Sequence, residues 1–422
     1  MSDTFERIAD WLQRVALLDV SLEELIEGLG TRLVEAGVPV VRISQGRLLM
    51  HPIIGVIDVT WDADAKRTNS DIYPRSGLSD GLAIQEKSPF ADLNDANQEI
   101  AKSQSHLRGM ELADVVTDLP FIHDDLTDPD TLEKYPLYRR LAASGITGYV
   151  ALTAPFGKQA VMIEEMEEGY LGSTISYATR RRSGFTPREV DGFRRINMPL
   201  MAALRIVTEK FFVSEVMEAY LGGLPSRAVL SGQIARGDVQ RIDCALFYSD
   251  MRGSTELSQR LSPEEYVAAI NRYFDCVAGA VLEYGGEVLK FIGDGLLAIF
   301  PFDGARRTPE DMCAAALSAA REAFQRRDDF AADLAVDFGI ALHTGEVIFG
   351  NVGTEKRLDF TIIGAAVSKV SRVEDMTKKL GFPLLATGAF SARIPEPAQK
   401  LGPQTLRGFD EVADIVAYDI AD

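Results

Sequence analysis

Two carboxylates and a serine–arginine pair are the residues of this chain whose types and spacing suit chemistry. Asp250 closes the apolar run IDCALFYSD, and Asp294 sits between two glycines in EVLKFIGDGLLAIF. Taken singly, each has an ordinary explanation, since Asp-Gly is good hairpin chemistry and strands often end on Asp. Placed on neighbouring strands of one sheet, the two would share hard cations such as Mg²⁺, which prefer oxygen ligands. MRGST follows Asp250, and its glycine turn into a helix would aim backbone N–H groups at phosphate. Farther on, DFTIIGAAVSKVSR reads as a strand end, a glycine and a helix start. Ser368 and Arg372 are four residues apart, hence on one face of that helix. A buried hydroxyl beside a guanidinium there would grip something charged.

These residues need a sheet to hold them, and the chain from 241 onward supplies one. IDCALFYSD reads as a buried strand. SPEEYVAAINRYFDCVAGAVLEYGG reads as a helix opened by a capping box of Ser262 and Glu265. EVLKFIGDGLLAIF is a hairpin, PEDMCAAALSAAREAFQRR a helix, and DLAVDFGIALHTGEVIFGNVG a second hairpin. DFTIIG is a strand and AAVSKVSRVEDMTKKLG a helix. The order β-α-β-β-α-β followed by β-β-α predicts a ferredoxin-like α/β sandwich, one sheet with helices on one face.

The first 195 residues read as a separate α+β domain. Helical spacing covers 4–36, strands follow in VPVVRIS and PIIGVIDVTW, and a polar, acidic stretch without clear periodicity fills roughly 62–110. Further strands lie in TGYVALTAPFG, QAVMIEEMEEG (159–169) and YLGSTISYAT. GFTPREVDGFRRINMPLMAALRIV then opens a helix with Thr186 at the N-cap, Pro187 first and Glu189 third. Residues 196–240 read as a helical linker, ended at Gly222 and Gly223, before the 241–422 domain. FIHDD (121–125) and RRR (180–182) read as solvated turns. His343 reads as a hairpin-turn residue held by a structural hydrogen bond.

Composition narrows the partners. The chain has 422 residues, 46% hydrophobic and 25% charged, with a net charge of −19. Such acidity repels phosphate backbones and anionic lipid, so nucleic acid and membrane are not expected partners. Cys244, Cys276 and Cys313 have no metal-like spacing and read as buried small hydrophobes, as in a reducing cytoplasm. The uncharged stretch 141–157 is too short and too polar to span a bilayer.

Five motifs in order, LFYSDMRGST, GGEVLKFIGDGLLAIFP, GIALHTGEVIFGNVG, RLDFTIIG and AAVSKVSR, resemble the class III nucleotidyl cyclases over about residues 225–420. The resemblance implies that Asp250, Asp294 and the backbone carbonyl of Met251 hold two Mg²⁺ or Mn²⁺ ions per site. It assigns base recognition to Lys290 and Thr361, transition-state stabilisation to Arg372, and phosphate cradling to Gly253, Ser254 and Thr255. Ser368 stands where the family usually has the ribose-orienting asparagine, and Arg407 matches a basic residue near the triphosphate. Lys290, a donor only, suits adenine N1, which makes ATP the expected substrate. The family places the metals and the Lys/Arg set on opposite sides of a two-chain interface, so a homodimer with two sites is implied. The strand, tight turn and GFT-capped helix resemble the end of a GAF-type sensor domain, a resemblance of pattern over about the first 200 residues, which implies an unidentified ligand or signal at the 1–195 domain. A cyclase-like nucleotide-binding module without turnover and a guanylate cyclase remain open alternatives.

Overall fold

Each half of the chain gathers its strands into a sheet of its own. In the computed structural model, which describes residues 2–48, 54–74, 121–155, 172–304, 307–329 and 336–420, the chain divides between Val216 and Met217 into two units. The strand expected at 159–169 and the 75–110 part of the polar stretch lie outside the described residues. No helix among the described residues is long and apolar enough to cross a membrane.

The first unit contains α1 (Ser2–Val15), α2 (Leu22–Glu35), β1 (Arg42–Leu48), β2 (Ile54–Asp62), β3 (Arg67–Pro74), β4 (Phe121–Asp125), α3 (Pro129–Leu132), α4 (Pro136–Ala143), β5 (Gly148–Pro155), β6 (Gly172–Thr179) and most of α5 (Pro187–Leu221). Its strands pair antiparallel in the order β3-β2-β1-β6-β5-β4. Leu12 of α1, Leu25 and Leu29 of α2 and Phe193 and Leu200 of α5 pack over Ile43, Val59 and Tyr177 on one sheet face. Tyr138 and Leu141 of α4 cover Tyr149 and Ala178 on the other. The expected capping box closes α5: Glu189 N–H donates to Thr186 Oγ1 at 3.3 Å, and Thr186 N–H donates to Glu189 Oε2 at 2.7 Å.

Several local expectations change. Residues 67–74 of the polar stretch form β3, because their backbone groups pair with β2. FIHDD is strand β4 rather than a turn, and its Asp124 accepts from Lys134 Nζ at 2.7 Å and Tyr138 Oη at 2.6 Å. Within RRR, Arg181 is bound to the buried Glu189 of the cap, so it anchors the turn. Ile196, Leu200, Met201 and Leu204 belong to the first unit's core, so 196–207 is not free linker. The apolar stripe of α5 continues through that segment and must be buried. Gly222, at φ 85°, ends the helix in a backbone conformation that favours glycine.

The second unit contains α6 (Gly223–Leu230), β7 (Val239–Met251), α7 (Ser254–Arg260), α8 (Pro263–Glu283), β8 (Glu287–Ile292), β9 (Gly295–Pro301), α9 (Pro309–Asp329), β10 (Phe338–Thr354), β11 (Arg357–Ile363), α10 (Ala365–Leu380), β12 (Leu384–Thr387), α11 (Gly388–Ser391), β13 (Gln399–Thr405) and β14 (Val412–Ala417). The sheet order is β13-β14-β12-β10-β7-β9-β8, with β11 on β10. The run β10-β7-β9-β8 is the expected βαββαβ core. β7 is buried on both faces, which is why it reads as a continuous apolar run. Ala245 and Phe247 face α8 and α9. Cys244 and Leu246 face Val370 and Val373 of α10. Helices therefore cover both sheet faces, correcting the one-face expectation: α10 needs a second apolar surface for its own stripe. Cys244, Cys276 and Cys313 are buried free thiols.

The second hairpin of the sequence reading does not form. HTGE lies in the middle of β10, whose residues 338–350 pair one for one with β7. Gly345 serves the close approach of α10 to β10. A Cβ there would lie 2.8 Å from the Ala366 Cβ of α10. His343 is consequently buried in mid-strand, its Nδ1 2.8 Å from Thr387 Oγ1. Burial, and then the charge of Lys369, lower its pKa to about 4. The unfolded ring takes up a proton near pH 6.5 and the folded ring only near 4, so stability present above pH 6.5 is lost as pH falls through that window. The loss is on the order of 2–3 kcal/mol. The midpoint of urea unfolding should thus fall more steeply from pH 6.5 to 4 in the wild type than in His343→Gln; equal slopes would contradict this.

Candidate active site

The two carboxylates are brought together by one strand and one hairpin. Asp250, near the end of β7, is flanked in register by Gly295 of β9 and Gly339 of β10. Both neighbours leave room for acids. A Cβ on Gly295 would stand 3.2 Å from Asp250 Oδ1, and one on Gly339 would stand 2.5 Å from Glu374 Oε1. The β8–β9 turn uses Gly293 at φ 64°, and Asp294 follows at its tip. Met251 N–H donates to the Asp294 carbonyl at 3.1 Å, tying the tip to the end of β7.

The electrostatics of this pair would favour a bound cation. Asp250 is held above the usual carboxylate range, first by burial and then by the negative charge of Asp294. A bound cation relieves that repulsion. Among the described residues no group of three or more His, Cys, Asp or Glu side chains converges as a metal cage. The site instead offers two hard carboxylates, which suits Mg²⁺, a cation commonly held by one or two carboxylates plus substrate phosphates. The donor set therefore fits Mg²⁺ or Mn²⁺.

Gly253, at φ 68°, turns the chain from β7 into α7 and leaves Ser254 and Thr255 at the helix start. The turn is pinned by Arg252, whose N–H donates to the Asp337 carbonyl at 2.7 Å and whose Nη1 donates to its carboxylate at 3.3 Å.

Lys290 and Thr361 come from β8 and β11. Lys290 Nζ forms an ion pair with Asp359. Asp359 and Thr361 are two apart on β11 and so share a face. Sequence reasoning passed over Asp359, although its position two residues before Thr361 was a usable signal.

The expectation of a buried hydroxyl on α10 is corrected. Ser368 is exposed, because the helix buries the stripe of Ala366, Val370, Val373 and Thr377 instead. Arg372 is half-buried, and its Nη1 donates to Asp375 Oδ2 at 3.0 Å. Arg407 is exposed in the turn between β13 and β14. Two further α10 residues, missed in the sequence, reach toward Asp250. Glu374 is buried, with its pKa raised to about 7 by burial and then by the charge of Asp250. Lys378 Nζ stands 3.9 Å from Asp250 Oδ2. Among the described residues, no hydrogen bond or ion pair joins Asp250 or Asp294 to Lys290, Thr361, Ser368 or Arg372.

Part of the chain is similar to known proteins. The chain is 31% identical over 199 residues to adenylate cyclase 1 of Rhizobium meliloti (strain 1021), covering 46% of this chain and 30% of that protein. It is 29% identical over 242 residues to an adenylate cyclase of Anabaena cylindrica, covering 51% of this chain and 45% of that protein. The chain thus spans less than half the length of either relative. A solved structure of a bacterial light-regulated adenylyl cyclase superposes with a TM-score of 0.44 at 26% identity, over 53% of this chain and 64% of that one. The family model of the adenylate and guanylate cyclase catalytic domain matches residues 238–382, the segment that carries Asp250, Asp294, Lys290, Thr361 and Arg372. Residues 238–382 are thus similar to an adenylate and guanylate cyclase catalytic domain.

Proposed function

We propose that the chain is an adenylate cyclase, converting ATP to 3′,5′-cyclic AMP and pyrophosphate. The observation that carries the reading is the Asp250–Asp294 pair, set side by side at the end of β7 and followed directly by the Gly253 turn. The substrate 3′-hydroxyl loses its proton to solvent as its oxygen attacks the α-phosphorus in line, and the bond from that phosphorus to the oxygen bridging the β-phosphate breaks, releasing pyrophosphate. Asp250, Asp294 and the Met251 carbonyl would hold divalent cations, whose charge would activate the hydroxyl and neutralise the phosphates. The Gly253–Thr255 turn presents backbone N–H groups to the phosphates, and Arg407 adds a cation near the triphosphate.

Base choice rests on Lys290 and Thr361. Lys290 offers only donors, which suit adenine N1 and oppose the N1–H of guanine. Asp359 holds the ammonium on the β11 side, where the Thr361 hydroxyl can accept from the adenine 6-amino group. Arg372 supplies a fixed positive charge for the transition state. That no hydrogen bond or ion pair joins the cation and base-binding sets among the described residues of one chain supports a site shared between two chains of a homodimer. The β6, turn and capped α5 of the first unit support a GAF-like regulatory domain.

Purified chain with Mn²⁺ or Mg²⁺ should form cyclic AMP from ATP in preference to cyclic GMP from GTP, and Asp250→Asn should lose at least about 10²-fold in rate. Nucleotide binding without product in the wild type would instead favour a module without turnover. A GTP preference would overturn the reading of Lys290. Ser368 is shorter than asparagine and meets a ribose through water, which recovers only part of a direct contact. Ser368→Asn is therefore expected to raise kcat by about tenfold, within the ~10²-fold worth of one oriented polar contact; an unchanged or lower kcat would show that serine is already suited to the site.

A further inference from the structure

Lys378 has no place in the cyclase chemistry set out above, yet it is the cation nearest the carboxylate pair among the contacts described. It lies in the last turn of α10, half exposed, with Nζ 3.9 Å from Asp250 Oδ2. That separation is an ion pair beyond hydrogen-bond range. The surroundings of Asp250 are otherwise acidic. Asp294 and Asp375 both push its pKa up, while Lys378 pulls it down. Glu374, one turn before Lys378, is buried beside the same carboxylate, where Thr377 Oγ1 donates to it at 3.2 Å.

The position of Lys378 is fixed by packing. Val370, Val373 and Thr377 seat α10 on the sheet. Gly339 lets the Glu374–Thr377 turn close onto β10. With the helix so held, the Lys378 side chain is delivered to the rim of the carboxylate pair.

We propose that Lys378 is a built-in counter-cation of the Asp250–Asp294 pair: divalent metal binds there against its charge, so Lys378 sets the metal concentration the site requires. The proposal rests on reading the two aspartates as metal ligands. One ammonium offsets part of the repulsion between the carboxylates and lets them stand together before metal arrives. The same unit charge then opposes an incoming divalent ion. Across ~5 Å of solvent-like medium at physiological salt, that opposition amounts to roughly a threefold to tenfold change in affinity.

The test is Mn²⁺ binding to the full chain without nucleotide, followed by the electron paramagnetic resonance signal of free Mn²⁺. Lys378→Gln is expected to bind Mn²⁺ about threefold to tenfold more tightly than the wild type. Lys378→Arg keeps the charge and should match the wild type. Asp250→Asn should abolish the binding. Unchanged or weaker Mn²⁺ binding in Lys378→Gln overturns the proposal, and a simultaneous loss of ATP affinity would assign Lys378 to a phosphate instead. Binding that survives Asp250→Asn overturns the metal-ligand reading beneath it, while the ATP turnover assay tests the cyclase reading separately.

Discussion

The second unit is organised around a repulsion. Asp250 and Asp294 are like charges held together, and burial sharpens the cost. A fold keeps such a pair only if its backbone leaves no freedom to separate them. β7 is therefore an interior strand of the sheet, bonded to β9 on one side and β10 on the other, with apolar residues packed on both faces. The Met251–Asp294 hydrogen bond closes the arrangement at the strand end. Gly295 and Gly339 matter because the acids need space that a side chain would fill. α10 then brings in both more acid, at Glu374 and Asp375, and the one described counter-charge, at Lys378.

Much of this frame was legible in the sequence, for local reasons. The apolar run through Phe247, the Gly-Asp-Gly turn and the Ser262–Glu265 capping box each state their geometry within a few residues. The readings that failed depended on neighbours far along the chain. Thr344-Gly345-Glu346 has turn-like composition, but strand pairing with β7 outweighs it, and Gly345 serves the approach of Ala366. Ser368 was placed on a buried face because its spacing to Arg372 is helical. Which helical face is buried is decided by the opposing sheet, and Val370 and Val373 meet it. Asp359, Glu374 and Lys378 each acquire meaning only through a cross-element contact, which no local pattern announces.

The site residues fall into two sets with different supports. Asp250, Met251, Asp294 and the Gly253 turn are held by the buried centre of the sheet. Lys290, Asp359 and Thr361 lie on β8 and β11, and Ser368 and Arg372 lie on the less buried side of α10. The first set stands at the end of the apolar β7, with Met251 in the core and Asp250 and Asp294 half-buried. The second is more exposed, and its charged members are held by ion pairs within the chain, Lys290 with Asp359 and Arg372 with Asp375. Exposed ion pairs of this kind are weak enough to exchange for a substrate. A cyclase reading in which each set completes the other across two chains accounts for both supports.

The most direct measurement of that claim is complementation between two inactive variants, Asp250→Asn and Arg372→Ala. If each site takes its carboxylates from one chain and its arginine from the other, the mixed dimer keeps one intact site. Mixing equal amounts should then restore roughly a quarter of wild-type cyclic AMP formation, from half the dimers with one of two sites working. A mixture as inactive as its parents, beside an active wild type, would contradict the account.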